Sequence, residues 1–151
     1  MKTSKYFSIL IKTMACALML GSLQAYADSG YSSEVAASDI YSPNYWNRNN
    51  FAIPSSVKLP SNANLYNVIW KYGISGYIPP KATFIAMLCH GDDNTCLDVT
   101  RMQVGTTTAF NHDGKKATEP FYLMFRINSR TTFSPISTGM AQIIVNLASS
   151  S

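Results

Sequence analysis

Excess charge of one sign is missing from the bulk of this chain. The formal net charge is +4, but Lys2, Lys5 and Lys12 crowd its start, and without these three the balance is +1. The other basic residues are scattered, with Lys115-Lys116 the only adjacent pair. A dispersed, near-neutral charge removes the electrostatic basis for binding nucleic acid or an anionic membrane. Histidine is scarce too. His90 and His112 are the only two, and neither lies in H-E-x-x-H or a related zinc motif. No G-x-S-x-G context surrounds a nucleophile. Gly91, Gly105 and Gly114 stand alone, so there is no Gly-rich phosphate loop. Past residue 27 no apolar run reaches the roughly 20 residues that span a bilayer. No internal repeat is visible, and no stretch there keeps a helical period with caps.

What is present begins with a leader. Met1 to Lys5 is short and basic, and Ile9 to Leu20 is an apolar run broken by Lys12 and Thr13. Gly21 to Ala27 is a small-residue stretch closing on Ala25-Tyr26-Ala27, the shape a signal peptidase cleaves. Cleavage after Ala27 and export to the periplasm are expected. Cys16 lies inside the apolar run, with Thr13 rather than Leu three residues before it, and leaves with the leader.

Removing 27 of the 151 residues leaves 124, enough for one domain with one core. Residues 28–50 are rich in Ser, Tyr and Asn without a sustained period. They read as a loosely structured arm with one short strand near Ile40–Tyr45. Tyr41, Tyr45 and Trp46 in this arm either patch a sheet edge or form a candidate interaction surface. Residues 51–147 read as the domain, and 148–151 as a disordered tail.

Strand signals fill the domain. Leu65 to Ile74 alternates, with Tyr66, Val68, Trp70, Tyr72 and Ile74 on one face. Ala82 to Cys89 is apolar on both faces, as in a central strand. Cys96–Val99 and Thr106–Phe110 are short strand candidates. Glu119 to Ile127 puts Phe121, Leu123, Phe125 and Ile127 on one side, and Met140 to Leu147 alternates Ile143, Val145 and Leu147. Turn chemistry punctuates these runs at Gly91-Asp92-Asp93-Asn94, Asn111-His112-Asp113-Gly114 and Asn128-Ser129-Arg130. The pattern predicts an all-β, antiparallel sandwich or barrel.

Cys89 and Cys96 are the cysteines beyond the leader. An even count in an exported chain, across a turn, predicts a disulfide that closes a hairpin. Such a bridge stabilises by about 2.5 kcal/mol on chain-entropy grounds. A zinc site built from these thiols with His90, Asp92 and Asp93 lacks a second ligand pair. A catalytic dithiol would need C-x-x-C beside a helix. Asp92 and Asp93 are adjacent in a turn, so as a glycosidase pair they would diverge. No catalytic, cofactor or metal residues are assigned, and no enzyme activity is expected. Trp70 and Tyr72 share a face with Val68 and Ile74, which makes them core aromatics rather than a platform for sugar rings.

The order of motifs carries a resemblance. Trp70-Lys71-Tyr72 is followed by Pro79-Pro80, Leu88-Cys89, Cys96-Leu97, Gly105-Thr106-Thr107, Glu119-Pro120-Phe121, Pro135 and Gln142-Ile143-Ile144-Val145-Asn146. From about Tyr66 to Asn146 the chain resembles the flagellar protein FlhE family. The arm is longer than such proteins commonly carry, and a Ser-rich tail follows Asn146. The resemblance implies a periplasmic β-sandwich acting at the flagellar export apparatus, with a flagellar export or basal-body protein as partner. It implies an accessory, chaperone- or plug-like role that regulates export and limits proton leakage. The alternative is an exported module that binds carbohydrate or peptidoglycan through exposed aromatics.

Overall fold

The computed structural model describes residues 30–149. Residues 1–29, where the leader is expected, and the last two residues lie outside this range. Ten strands follow in chain order: β1 (Gly30–Val35), β2 (Asp39–Ile40), β3 (Asn47–Asn50), β4 (Leu65–Lys71), β5 (Thr83–His90), β6 (Cys96–Asp98), β7 (Val104–Thr107), β8 (Phe121–Asn128), β9 (Ile136–Ser137) and β10 (Ala141–Leu147). Two four-stranded sheets result, ordered β1-β10-β4-β7 and β3-β8-β5-β6, with a small β2-β9 pair beside them. Every pairing among the described residues is antiparallel. The molecule is an all-β sandwich.

Side-chain alternation explains the layers. Val68 and Trp70 of β4, with Ile143 and Val145 of β10, are buried beneath the first sheet. Ala86 and Leu88 of β5, with Phe121, Leu123, Phe125 and Ile127 of β8, are buried beneath the second. Tyr72, just past β4, meets Phe125 edge-on at 5.3 Å between ring centroids and Phe84 at 6.3 Å, which ties the sheets together. Each fully buried Leu, Ile or Phe contributes about 1.5–3 kcal/mol. The second sheet also buries part of its outer face, where Cys89, Tyr122 and Met124 cluster with Met87 and Cys96.

The N-terminal arm is the main correction. Its described part is woven into both sheets: β1 forms an edge beside β10, β3 forms an edge beside β8, and β2 pairs with β9. Tyr31, Ile40 and Phe51 are buried. The single strand expected near Ile40–Tyr45 is instead β2 followed by a turn at Ser42–Asn44. A ladder is made by backbone groups, so an edge strand as polar as Gly-Tyr-Ser-Ser-Glu-Val pairs well without an alternating pattern.

Tyr66 departs from its expected face as well. Asn67 pairs with Asn146 and Leu65 with Leu147, so Tyr66 is the extra residue of a bulge. The bulge turns Leu65 into the core and leaves Tyr66 60% exposed. Asn111 Nδ2 donates to the freed Tyr66 carbonyl at 2.7 Å. The strand expected over Thr106–Phe110 is β7, which ends at Thr107, and Phe110 is buried from the turn beyond it.

Candidate functional site

The β5–β6 hairpin gathers the polar chemistry of one end of the sandwich. Cys89 and Cys96 face each other in the ladder and form a disulfide. Both thiols are thereby consumed. Between them, Asp92 and Asp93 turn to different partners. Asp92 pairs with Lys115 and accepts from Asn94 N and Thr95 Oγ1 at 3.0 and 3.1 Å. The Lys115 hydrogen bond is the largest influence holding the Asp92 carboxyl below its ordinary value. Asp93 accepts from Arg48 Nη2 and from the Tyr122 hydroxyl, both at 2.5 Å. Burial, then the Asp93 hydrogen bond, pushes Tyr122 up to about 12. The Arg48 guanidinium also lies 4.1 Å from the Tyr122 ring centroid. Each carboxylate is thus engaged in holding the hairpin to β3, β8 or the β7–β8 connection.

His90, the last residue of β5, is fully buried. Sequence reasoning gave it no role beyond a weak metal candidate. Its ring stacks on Phe121 at 4.2 Å, with Phe110 edge-on at 6.0 Å. Nδ1 lies 2.6 Å from Asp113 Oδ2, and Nε2 lies 3.2 Å from the Lys116 carbonyl. A carbonyl only accepts, so Nε2 carries a hydrogen and donates it. Both ring nitrogens face internal oxygens, which leaves no nitrogen free to take a proton from a substrate. The arrangement suits a structural clasp on the β7–β8 connection. The strand alternation that buries Ala86 and Leu88 also points His90 inward, and that was the available sequence signal.

Trp70 and Tyr72 are buried at 1% and 2% exposure, which takes them out of any surface platform. Trp70 Nε1 donates to the Met102 carbonyl at 2.8 Å. The Tyr72 hydroxyl reaches the Val99 and Thr100 carbonyls at 2.8 and 3.2 Å. Burial, then Asp98, pushes Tyr72 up to about 12.

Tyr41, Tyr45 and Trp46 lie on the β2–β3 connection and are 66%, 71% and 43% exposed. Tyr41 donates to Asp39 Oδ2 at 3.2 Å, and the Arg126 guanidinium sits 5.7 Å from the Trp46 ring centroid. These three are surface residues on a connection anchored at both ends by strands. Among the described residues no three His, Cys, Asp or Glu side chains converge as a metal site.

Comparison with known proteins places this fold. No curated protein sequence matches the chain significantly. The crystal structure of FlhE is similar to it with a TM-score of 0.58 at 19% identity, covering 80% of this chain and 99% of that one. At that identity the likeness speaks for the fold. The family model of the flagellar protein FlhE matches residues 47–148, from the start of β3 to just past β10. A sandwich of this topology, matched over most of its length by that model, belongs to the flagellar protein FlhE family.

Proposed function

We propose that this protein is a periplasmic accessory factor of flagellar assembly. It works by protein–protein contact, regulates flagellar type III export and limits proton leakage through the export apparatus. The observation that carries this reading is the family match over residues 47–148. The Cys89–Cys96 disulfide supports an exported compartment, as does the leader ending Ala25-Tyr26-Ala27. A non-enzymatic role is supported by the engagement of Asp92, Asp93 and His90 in the fold. Asp92 ties the hairpin to the β7–β8 connection, Asp93 ties it to β3, and His90 ties β5 to the β7–β8 connection. The partner is a flagellar export or basal-body protein.

Deletion and complementation test this reading. A deletion strain should show altered flagellar secretion, reduced motility or swarming, and raised proton permeability when flagella are made. Expression of the full-length gene, leader included, should restore all three. Normal secretion, motility and proton permeability in the deletion strain would remove the proposed role.

A further inference from the structure

A groove of about 600 Å³ opens at the end of the sandwich opposite the disulfide hairpin. The ladder defines the two ends: Cys89 and His90 lie at one end of the β5–β8 pair, and Thr83 and Asn128 at the other. Asn44, Lys81, Thr83, Asn128, Ser129 and Arg130 line the groove.

Its walls carry the two left-handed non-glycine residues of the described chain, Asn44 at φ 66° and Lys81 at φ 69°. Asn tolerates this conformation. It is also locked here, because Asn44 N donates to the Ile127 carbonyl at 2.8 Å and Nδ2 donates to the Ser129 carbonyl at 2.9 Å. Ser129 N returns a hydrogen bond to Asn44 Oδ1 at 3.2 Å. Lys81 is the less expected occupant. Ala82 N donates to the Pro79 carbonyl at 3.0 Å, so Lys81 is the third residue of a turn led by Pro79-Pro80. With positive φ there, the turn is of type II, where glycine is the usual choice. Backbone strain kept in a groove wall is a mark of a functional site.

Charge is the second observation. Lys81 and Arg130 both line the groove, and no Asp or Glu does. Neither cation forms an ion pair among the described residues. Asp92 and Asp93, which pair with Lys115 and Arg48, and Asp113, which meets His90, all lie at the hairpin end, away from the groove. The groove therefore presents unneutralised positive charge among amide and hydroxyl donors. No aromatic ring lines it, so a sugar would find no stacking surface.

We propose that this groove binds an acidic, extended peptide segment of the partner protein, with Lys81 and Arg130 taking its carboxylates. The flagellar identity of that partner rests on the function proposed above; the groove's preference for an acidic peptide does not. The test is fluorescence anisotropy with the disulfide-intact protein and a labelled peptide rich in Asp and Glu, against its Asn/Gln counterpart. Saturable binding of the acidic peptide alone, weakened by salt, is expected. The double variant K81E/R130E should bind about tenfold more weakly at unchanged melting temperature. Lys81→Gly, which removes the charge and relieves the backbone, should weaken binding while raising melting temperature. Equal binding of the Asn/Gln peptide, or full binding by K81E/R130E, overturns the proposal. So does displacement of the peptide by a soluble peptidoglycan fragment at lower concentration than by unlabelled peptide, which would mark a glycan site. In cells, full complementation of the deletion by K81E/R130E overturns the groove while leaving the flagellar role standing. Acidic-peptide binding in vitro with no flagellar phenotype on deletion supports the groove and overturns the partner's identity.

Discussion

Gly105 sits directly across from Trp70 in the β4–β7 ladder, and the indole fills the space where a side chain at 105 would stand. A Cβ there would come within 2.7 Å of Trp70 Cη2 and closer still to Cζ2. The glycine is what lets a tryptophan lie flat beneath an edge strand. Gly105→Ala should cost about 1–3 kcal/mol by forcing the indole off its rotamer, read as a lower urea midpoint with altered tryptophan emission. An unshifted midpoint would mean that the ring has room to move.

Trp70→Ala removes the ring itself. A cavity at a 1%-exposed site should cost about 3–5 kcal/mol and lower the yield of exported protein. A variant as stable as wild type that lost only a binding activity would return Trp70 to a recognition role.

Residues 30–50 supply β1 to one sheet and β3 to the other. Deleting them leaves β10 and β8 with unpaired edges and removes Tyr31 and Ile40 from the core. The truncated protein should lose near-UV circular dichroism and become protease-sensitive. A folded, disulfide-bonded remainder would show that the arm is dispensable.

Alkaline pH should unfold the protein through its buried phenols. Burial holds Tyr31 and Tyr72 at about 12, above the ordinary value near 10. A raised folded value means the contribution is complete below pH ~10 and is lost as pH rises toward about 12. Tyrosinate absorbance and circular dichroism followed together should show the buried phenols ionising as structure is lost. Tyr72→Phe should make that loss shallower. Early ionisation of every tyrosine without loss of structure would contradict this.

His90→Ala should destabilise by about 1–3 kcal/mol, because it leaves Asp113 and the Lys116 carbonyl without their shared partner. Hydrogen exchange should show the strongest loss of protection in residues 110–119. Uniform loss across the sandwich would argue against a local clasp.

The central strands were legible because they are buried by alternation. Phe121, Leu123, Phe125 and Ile127 announce β8, and Ile143, Val145 and Leu147 announce β10, since period two and burial on one face are the same fact. The disulfide was legible for a related reason: two cysteines across a short turn are brought together by the turn. Edge strands β1 and β3 were not, because their hydrogen bonds come from partners far along the chain and ask little of their side chains. Tyr66 was misplaced because a bulge depends on how β4 meets β10, which no local pattern encodes.

Sequence alone determined the all-β class, the cysteine pairing and the motif order that leads to the flagellar family. These follow from local residue chemistry and from strand periodicity. Tertiary structure decided that the arm is part of both sheets, that His90 is enclosed by Asp113 and Phe121, and that Lys81 and Arg130 line one groove. Each of these joins residues far apart in the chain, and only long-range strand pairing, such as β5 with β8, brings them within reach.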